Sequence, residues 1–354
     1  MRDRRPILTF ILLLILTLLV LIAILPSIGY RPSTRYLGQG ELWAAQHLTP
    51  LGELAQYASV IEVRGELAYV VGGQAPLQDE GRARGLTIWA VADPAAPAVV
   101  GFLDGFFGYD LAVKEGFVFI ASGGELVVVD ARDGVRPVIA AVIPAEGLFE
   151  LFQTGRELYL LTATGIQLYD VAEPAEPRLV DTIPGLVAWD GAAVADIRLF
   201  LTDDALVYLM PDREGRLFEW GRLTLQAAPG DSSLVSIDNE LAAAGSLVVA
   251  TGRGGWHLFD FGPATPQYLG FYTDDVRAPA GLALDYPLLW LADGANGVVA
   301  FDLSERDRPV RVAYDHEPFA TNVAVAGDVV WASSRAVAPV QILLARVDRA
   351  YLSD

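Results

Sequence analysis

From about residue 50 onward the chain repeats one unit roughly every 40 residues, and that beat limits its fold more than any other property. Each unit holds an apolar strand, a short turn, a second apolar strand ending in Asp, and a turn containing Pro. The turn prolines mark time at Pro97, Pro137, Pro177, Pro266 and Pro309. The first three stand 40 residues apart, and the 89 residues from Pro177 to Pro266 hold two periods with one degenerate copy. The strand-ending acids Asp130, Asp170, Asp260 and Asp302 keep the same time. A period of this length carrying strands predicts an all-β propeller, a fold that hosts many unrelated functions.

Seven units can be read. The first inner strand is expected near Ile61–Arg64, with its partners at Leu67–Gly72, Leu86–Val91 and Val99–Leu103. Between the second and third strands, the charged stretch Gln74 to Arg84 reads as an exposed loop. The fourth unit is degenerate: Ala192–Val194, Leu199–Leu201, Leu206–Met210 and Leu217–Leu223. The seventh offers only three strands: Asn322–Val325, Val329–Ala332 and Val340–Leu344. A strand near Glu41–His47 is expected to complete it, because an open ring would leave unpaired edges. The expectation is therefore about seven four-stranded blades over residues 41–354, closed by an N-terminal strand.

Ahead of the body, Ile7 to Leu25 is an apolar run broken only by Thr9 and Thr17. As a helix it would be about 28 Å long, close to the hydrocarbon thickness of a bilayer. Arg2, Arg4 and Arg5 precede it, which favours a cytoplasmic N-terminus and an exported body. The run is longer than a signal-peptide core, and Leu25-Pro26-Ser27-Ile28-Gly29 is a poor cleavage site. Residues 1–27 thus read as a single-pass transmembrane signal anchor and 28–40 as a linker. The chain has no cysteine, which removes disulfides, thiolate metal sites and cysteine nucleophiles. Formal net charge is −19, and the N-terminal Arg residues and Asp3 carry +2 of it, so the body is near −21. Such a body repels nucleic acid and anionic lipid and suits a cationic partner.

Leu126-Val127-Val128-Val129-Asp130 and Leu168-Tyr169-Asp170-Val171-Ala172-Glu173-Pro174-Ala175-Glu176-Pro177 resemble the LVIVD repeat. So do Val91-Ala92-Asp93-Pro94-Ala95-Ala96-Pro97 and, for its first part, Leu289-Trp290-Leu291-Ala292-Asp293-Gly294. The resemblance covers about residues 50–320. It implies a β-propeller exported to the cell surface or periplasm. It brings no general catalytic residues to carry over.

No standard catalytic constellation is present. The histidines His47, His257 and His316 have no metal-ligand spacing, and no nucleophile elbow, phosphate loop or calcium loop appears. A quinone-cofactor dehydrogenase propeller would need a cofactor-stacking Trp in each blade and a calcium site, but Trp89, Trp220, Trp256, Trp290 and Trp331 do not share one repeat position, and no cofactor is expected. The acid pairs Asp203-Asp204 and Asp274-Asp275 read as exposed turns. The strand-ending aspartates read as turn anchors, accepting from backbone N–H groups two residues on.

Aromatic–acid pairs recur where each unit begins: Tyr109-Asp110, Phe149-Glu150 and Trp189-Asp190. In a propeller these positions surround one mouth of the central channel, with Asp238-Asn239-Glu240 and Asn322 nearby. Aromatic faces backed by carboxylates suit a cation or a basic side chain. The bland alternative has the aromatics packing between blades. The residues favour a membrane-tethered interaction or ligand-binding scaffold without catalysis, its partner a protein or cell-surface polymer. The competing expectation is a metal-dependent, lactonase-like hydrolase using Asp110, Glu150 and Asp190 as ligands.

Overall fold

The computed structural model describes residues 48–54, 58, 60–72, 85–212, 214, 216–225, 240–273, 276–315, 320–333 and 342–347. Residues Ala45–Asp354 group into one unit. The expected membrane anchor, the linker, the Glu41–His47 strand and the Gln74–Arg84 loop lie outside the described residues. So do His47, His316, Asp238, Asn239, Asp274 and Asp275. Among the described residues no helix is long and apolar enough to cross a membrane.

The described residues form seven four-stranded antiparallel sheets. Strand β1 (Leu48–Leu54) comes first in the chain but belongs to the last sheet. The first blade is β2 (Val60–Arg64), β3 (Leu67–Gly72), β4 (Gly85–Ala90) and β5 (Ala98–Leu103). The second is β6 (Asp110–Lys114), β7 (Phe117–Ser122), β8 (Glu125–Asp130) and β9 (Val138–Pro144). The third is β10 (Leu148–Thr154), β11 (Glu157–Thr162), β12 (Gly165–Asp170) and β13 (Arg178–Pro184). The fourth is β14 (Asp190–Val194), β15 (Ile197–Leu201), β16 (Ala205–Pro211) and β17 (Leu217–Thr224). The fifth is β18 (Leu241–Ala244), β19 (Leu247–Gly252), β20 (Gly255–Asp260) and β21 (Gln267–Tyr272). The sixth is β22 (Gly281–Asp285), β23 (Leu288–Ala292), β24 (Val298–Asp302) and β25 (Val310–Asp315). The last is β26 (Asn322–Ala326), β27 (Val329–Ser333) and β28 (Ile342–Val347), with β1 on its outer edge.

The core is divided among the blade interfaces. Seven hydrophobic clusters each take residues from two adjacent blades. The cluster holding Ile61, Val70, Val329 and Trp331 joins the last blade to the first, so the interfaces close into a ring. This is why the middle strands are apolar on both faces: β7, β19, β20, β23 and β27 are buried along their whole length. Blades approach closely where side chains vanish. A Cβ on Gly101 of β5 would stand 2.1 Å from the Gly134 carbonyl oxygen of the next blade.

Ring closure corrects one expectation. The closing strand is Leu48–Leu54, pairing antiparallel with β28 from Leu48↔Val347 to Leu54↔Ile342. It begins after the expected Glu41–His47. Pro50 and Gly52 disguise it, and a bulge between them absorbs the misfit at an edge where Pro is tolerated.

The repeated aspartates anchor their turns. Asp130, Asp170, Asp260 and Asp302 accept from the backbone N–H two residues on, at 3.2, 2.9, 2.9 and 2.7 Å. Arginines reinforce the first three: Arg132 on Asp130, Arg156 on Asp170 at 2.7 Å, and Arg306 on Asp260.

Candidate functional site: the acidic mouth of the central channel

The inner strands share one rung at or near their starts. Val60, Asp110, Glu150, Asp190, Gly281 and Asn322 each pair with the residue eleven positions later on the second strand. Glu240 holds the same rung in the fifth blade, where the Thr251 N–H donates to its carbonyl at 2.9 Å. One level of the ring therefore carries four acids on consecutive blades, with Asn322 across from them. These residues line a cavity of about 370 Å³, to which all seven inner strands contribute. That volume lies in the range of small-ligand sites. Glu62 and Arg64, two and four residues along β2 from the rung, line it as well.

The rung acids also join the blades. Asp110 accepts from the Leu151 N–H of the next blade at 2.8 Å. Asp190 accepts from Leu241 at 2.6 Å and from Gly191 in its own strand at 2.5 Å. Glu240 accepts from Leu282 at 2.8 Å. Glu62 takes a bond from the Val113 backbone and pairs with Arg64. Glu150 differs: its carboxyl shares a hydrogen bond with Asp110.

Crowded acids hold their protons. Burial, opposed by Arg64 and aided by the Asp110 charge, pushes Glu62 up to about 7. Burial raises Glu150 well above the usual carboxylate range, and the charges of Asp110, Asp190 and Glu240 add to it. Asp190 is raised in the same way, by burial first and then by Glu240 and Asp110, against the pull of its backbone donors. Burial and like charges at short range favour the protonated form of these groups.

The aromatic–acid pairs are split. Asp110, Glu150 and Asp190 line the cavity, whereas Tyr109, Phe149 and Trp189 are absent from its lining. Neighbours along a strand point to opposite faces, so an acid facing the channel turns its aromatic neighbour away. Tyr109 is exposed. Phe149 meets Trp189 of the next blade at 5.6 Å between ring centres, and the Trp189 indole N–H donates to Asp203 at 2.6 Å. Phe149 and Trp189 thus pack across a blade interface, and Tyr109 does not. His257 lies buried in β20, its Nδ1 3.1 Å from the Tyr268 hydroxyl and its ring stacked on Phe271 at 4.5 Å. Burial lowers it to about 4.

Glu62 and Arg64 were not singled out from the sequence. The available signal was their i, i+2 spacing in Val60-Ile61-Glu62-Val63-Arg64, which puts both on one face of an inner strand. Among the described residues no group of three or more His, Asp or Glu is arranged to hold a metal ion.

The fold and one repeat find counterparts among known proteins. The periplasmic gluconolactonase PpgL of Pseudomonas aeruginosa is similar in structure, with a TM-score of 0.58 at 13% identity over 74% of this chain and 85% of that one. So is a putative 6-phosphogluconolactonase from Bacteroides uniformis, with a TM-score of 0.64 at 13% identity over 79% and 92%. A chain of the mitotic checkpoint complex also matches, with a TM-score of 0.64 at 12% identity over 88% and 95%. At such identities the likeness shows the fold alone. No curated protein matches the sequence. Residues 108–134, which run from the channel mouth through β6, β7 and β8 into the following turn, match the LVIVD repeat family.

Proposed function

We propose that this protein is a non-catalytic ligand-binding propeller whose site is the acidic mouth of the central channel, taking a cationic ligand or a basic group of a partner. The observation that carries this reading is the shared rung of Asp110, Glu150, Asp190 and Glu240 around one cavity. Like charge crowded there costs energy that a cation lowers. The apolar run Ile7–Leu25 with its flanking arginines supports a body tethered at the outer face of a membrane.

A second reading is lactone hydrolysis. A carboxyl kept neutral beside other acids is the pairing that general acid–base chemistry uses, and two of the similar folds are described as lactonases. The acid ring would repel a phosphorylated lactone, which leaves a neutral lactone as the substrate of that reading.

The test is a thermal-shift panel of cations and neutral lactones on the full chain, beside the triple variant Asp110→Asn, Glu150→Gln, Asp190→Asn. Cations are expected to raise the melting temperature of the wild type and not of the variant. Glucono-δ-lactone is expected to hydrolyse at the same rate with either protein. Cation shifts of equal size in both proteins contradict the binding reading, and lactone turnover lost in the variant replaces it with the enzymatic one.

A further inference from the structure

The channel mouth holds a polar atom that the fold leaves unanswered. Asn322, at the start of β26, is only 5% exposed, and its side-chain oxygen is buried without a hydrogen-bond partner. The residue lines the cavity across from the acids. A buried acceptor left unpaired costs about 1–3 kcal/mol, and no described residue supplies its donor. Glu150 is in a related position. Asp110, Asp190 and Glu240 hold backbone N–H groups of neighbouring blades, whereas Glu150 is bonded only to another carboxyl.

We propose that the mouth binds an organic cation through its N–H groups, a primary ammonium or a guanidinium, with Asn322 Oδ1 and Glu150 as acceptors. The inference rests on the reading of the mouth as a ligand site. Its entry displaces the proton that Glu150 shares with Asp110, and that proton leaves to solvent.

Three observations choose this chemistry over other cations. A bare metal ion needs several oxygens at about 2.0–2.6 Å from one point, and no acid group among the described residues converges in that way. A quaternary ammonium needs a cage of several aromatic faces, whereas Tyr109, Phe149 and Trp189 are absent from the lining and its one aromatic, Phe152, is packed against Tyr159 and Phe200. A cation bearing N–H groups reaches separate acceptors at about 2.7–2.9 Å each, and so spans a ring of them. The charged groups facing Glu150 are Glu62 and Arg64 from β2, Asp110 from β6, Asp190 from β14 and Glu240 beside β18. The sixth and last blades add the uncharged Leu282, Asn322 and Val323. Arg64 is paired with Glu62, which leaves the acids in excess.

The experiment is calorimetric titration of the full chain with spermidine, agmatine and tetramethylammonium at one ionic strength. Titrations in two buffers of different ionisation enthalpy count the protons released. Spermidine or agmatine is expected to bind with proton release, and tetramethylammonium at least tenfold more weakly. Glu150→Gln and Asn322→Ala are each expected to weaken agmatine at least tenfold, with proton release lost in Glu150→Gln. Lysine- and arginine-containing peptides form a further arm. Tighter binding of a peptide than of agmatine assigns the group to a protein partner, and the reverse assigns it to a free amine. Equal binding of tetramethylammonium and agmatine by the wild type overturns the N–H inference while leaving the mouth a cation site. No heat with any probe, together with no cation shift in the thermal panel, overturns both.

Discussion

Asp110 does two things at once. It bonds the Leu151 N–H across a blade interface, and its charge presses on Glu62 and Glu150. The two roles separate by substitution. Asp110→Ala leaves a buried N–H without its acceptor and is expected to cost about 1–3 kcal/mol. Asp110→Asn keeps an oxygen for Leu151 and removes the charge, so it is expected to cost less, with the smallest loss above pH 7. Urea unfolding of the two variants at pH 8 measures this, and equal losses would show that the bond carries no weight. At this scale the sequence was largely readable. Aspartates that end strands before a turn announce their backbone bonds, and acids at a 40-residue spacing announce a common rung. The aromatic partners did not follow, because one residue along a strand is the opposite face. Asn322 could be placed near the mouth, but its missing donor is visible only in three dimensions.

Among the elements, β1 bears on the whole ring, for without it β28 is an open edge. Its sequence, Leu48-Thr49-Pro50-Leu51-Gly52-Glu53-Leu54, reads poorly as a strand because of Pro50 and Gly52, and the segment before it, Leu42-Trp43-Ala44-Ala45, reads better. The pairing with β28 decides otherwise, with a bulge at the awkward residues. Periodicity placed the other strands well because hydrophobic pattern and turn chemistry agreed there. Bulges are a feature it missed. In each of the first six blades the pairing of the third and fourth strands slips once, between Ile88 and Trp89, Val128 and Val129, and at four equivalent places. Such a slip bends the outer strand and adds twist, and apolar residues such as Val180 and Trp220 remain exposed beside it. Deletion of residues 48–54 from the full chain is expected to lower the melting temperature and to produce concentration-dependent association through β28. The burial of Leu48 alone is worth about 2 kcal/mol. A deleted chain that stays monomeric at the wild-type melting temperature would show that β1 does not close the ring. Sedimentation and thermal melting measure the two effects.

At the scale of the molecule, seven blade interfaces converge on one acidic mouth, and its electrostatics are tied to the stability of the ring. Glu62, Glu150 and Asp190 are raised in the folded protein, so the folded chain holds protons that the unfolded chain has lost. The stability of such groups is full below the unfolded value near 4.5 and is lost as pH rises through the folded value, about 7 for Glu62. His257 acts in the opposite sense: its value falls to about 4 from 6.5, so its contribution is lost only on acidification below 6.5. The Arg-paired aspartates are held low and lose their contribution at more acid pH still. The window from pH 6.5 to 8.5 therefore lies above the titration of His257 and of the Arg-paired aspartates and covers the raised acids of the mouth. The decisive measurement is the melting temperature of the full chain across that window, with and without spermidine. Without it, the melting temperature should fall as pH rises; with it, the loss should be largely restored at pH 8.5 and little changed at pH 6.5. A flat profile, or a spermidine shift of the same size at both ends, would contradict an electrostatically strained mouth waiting for a cation.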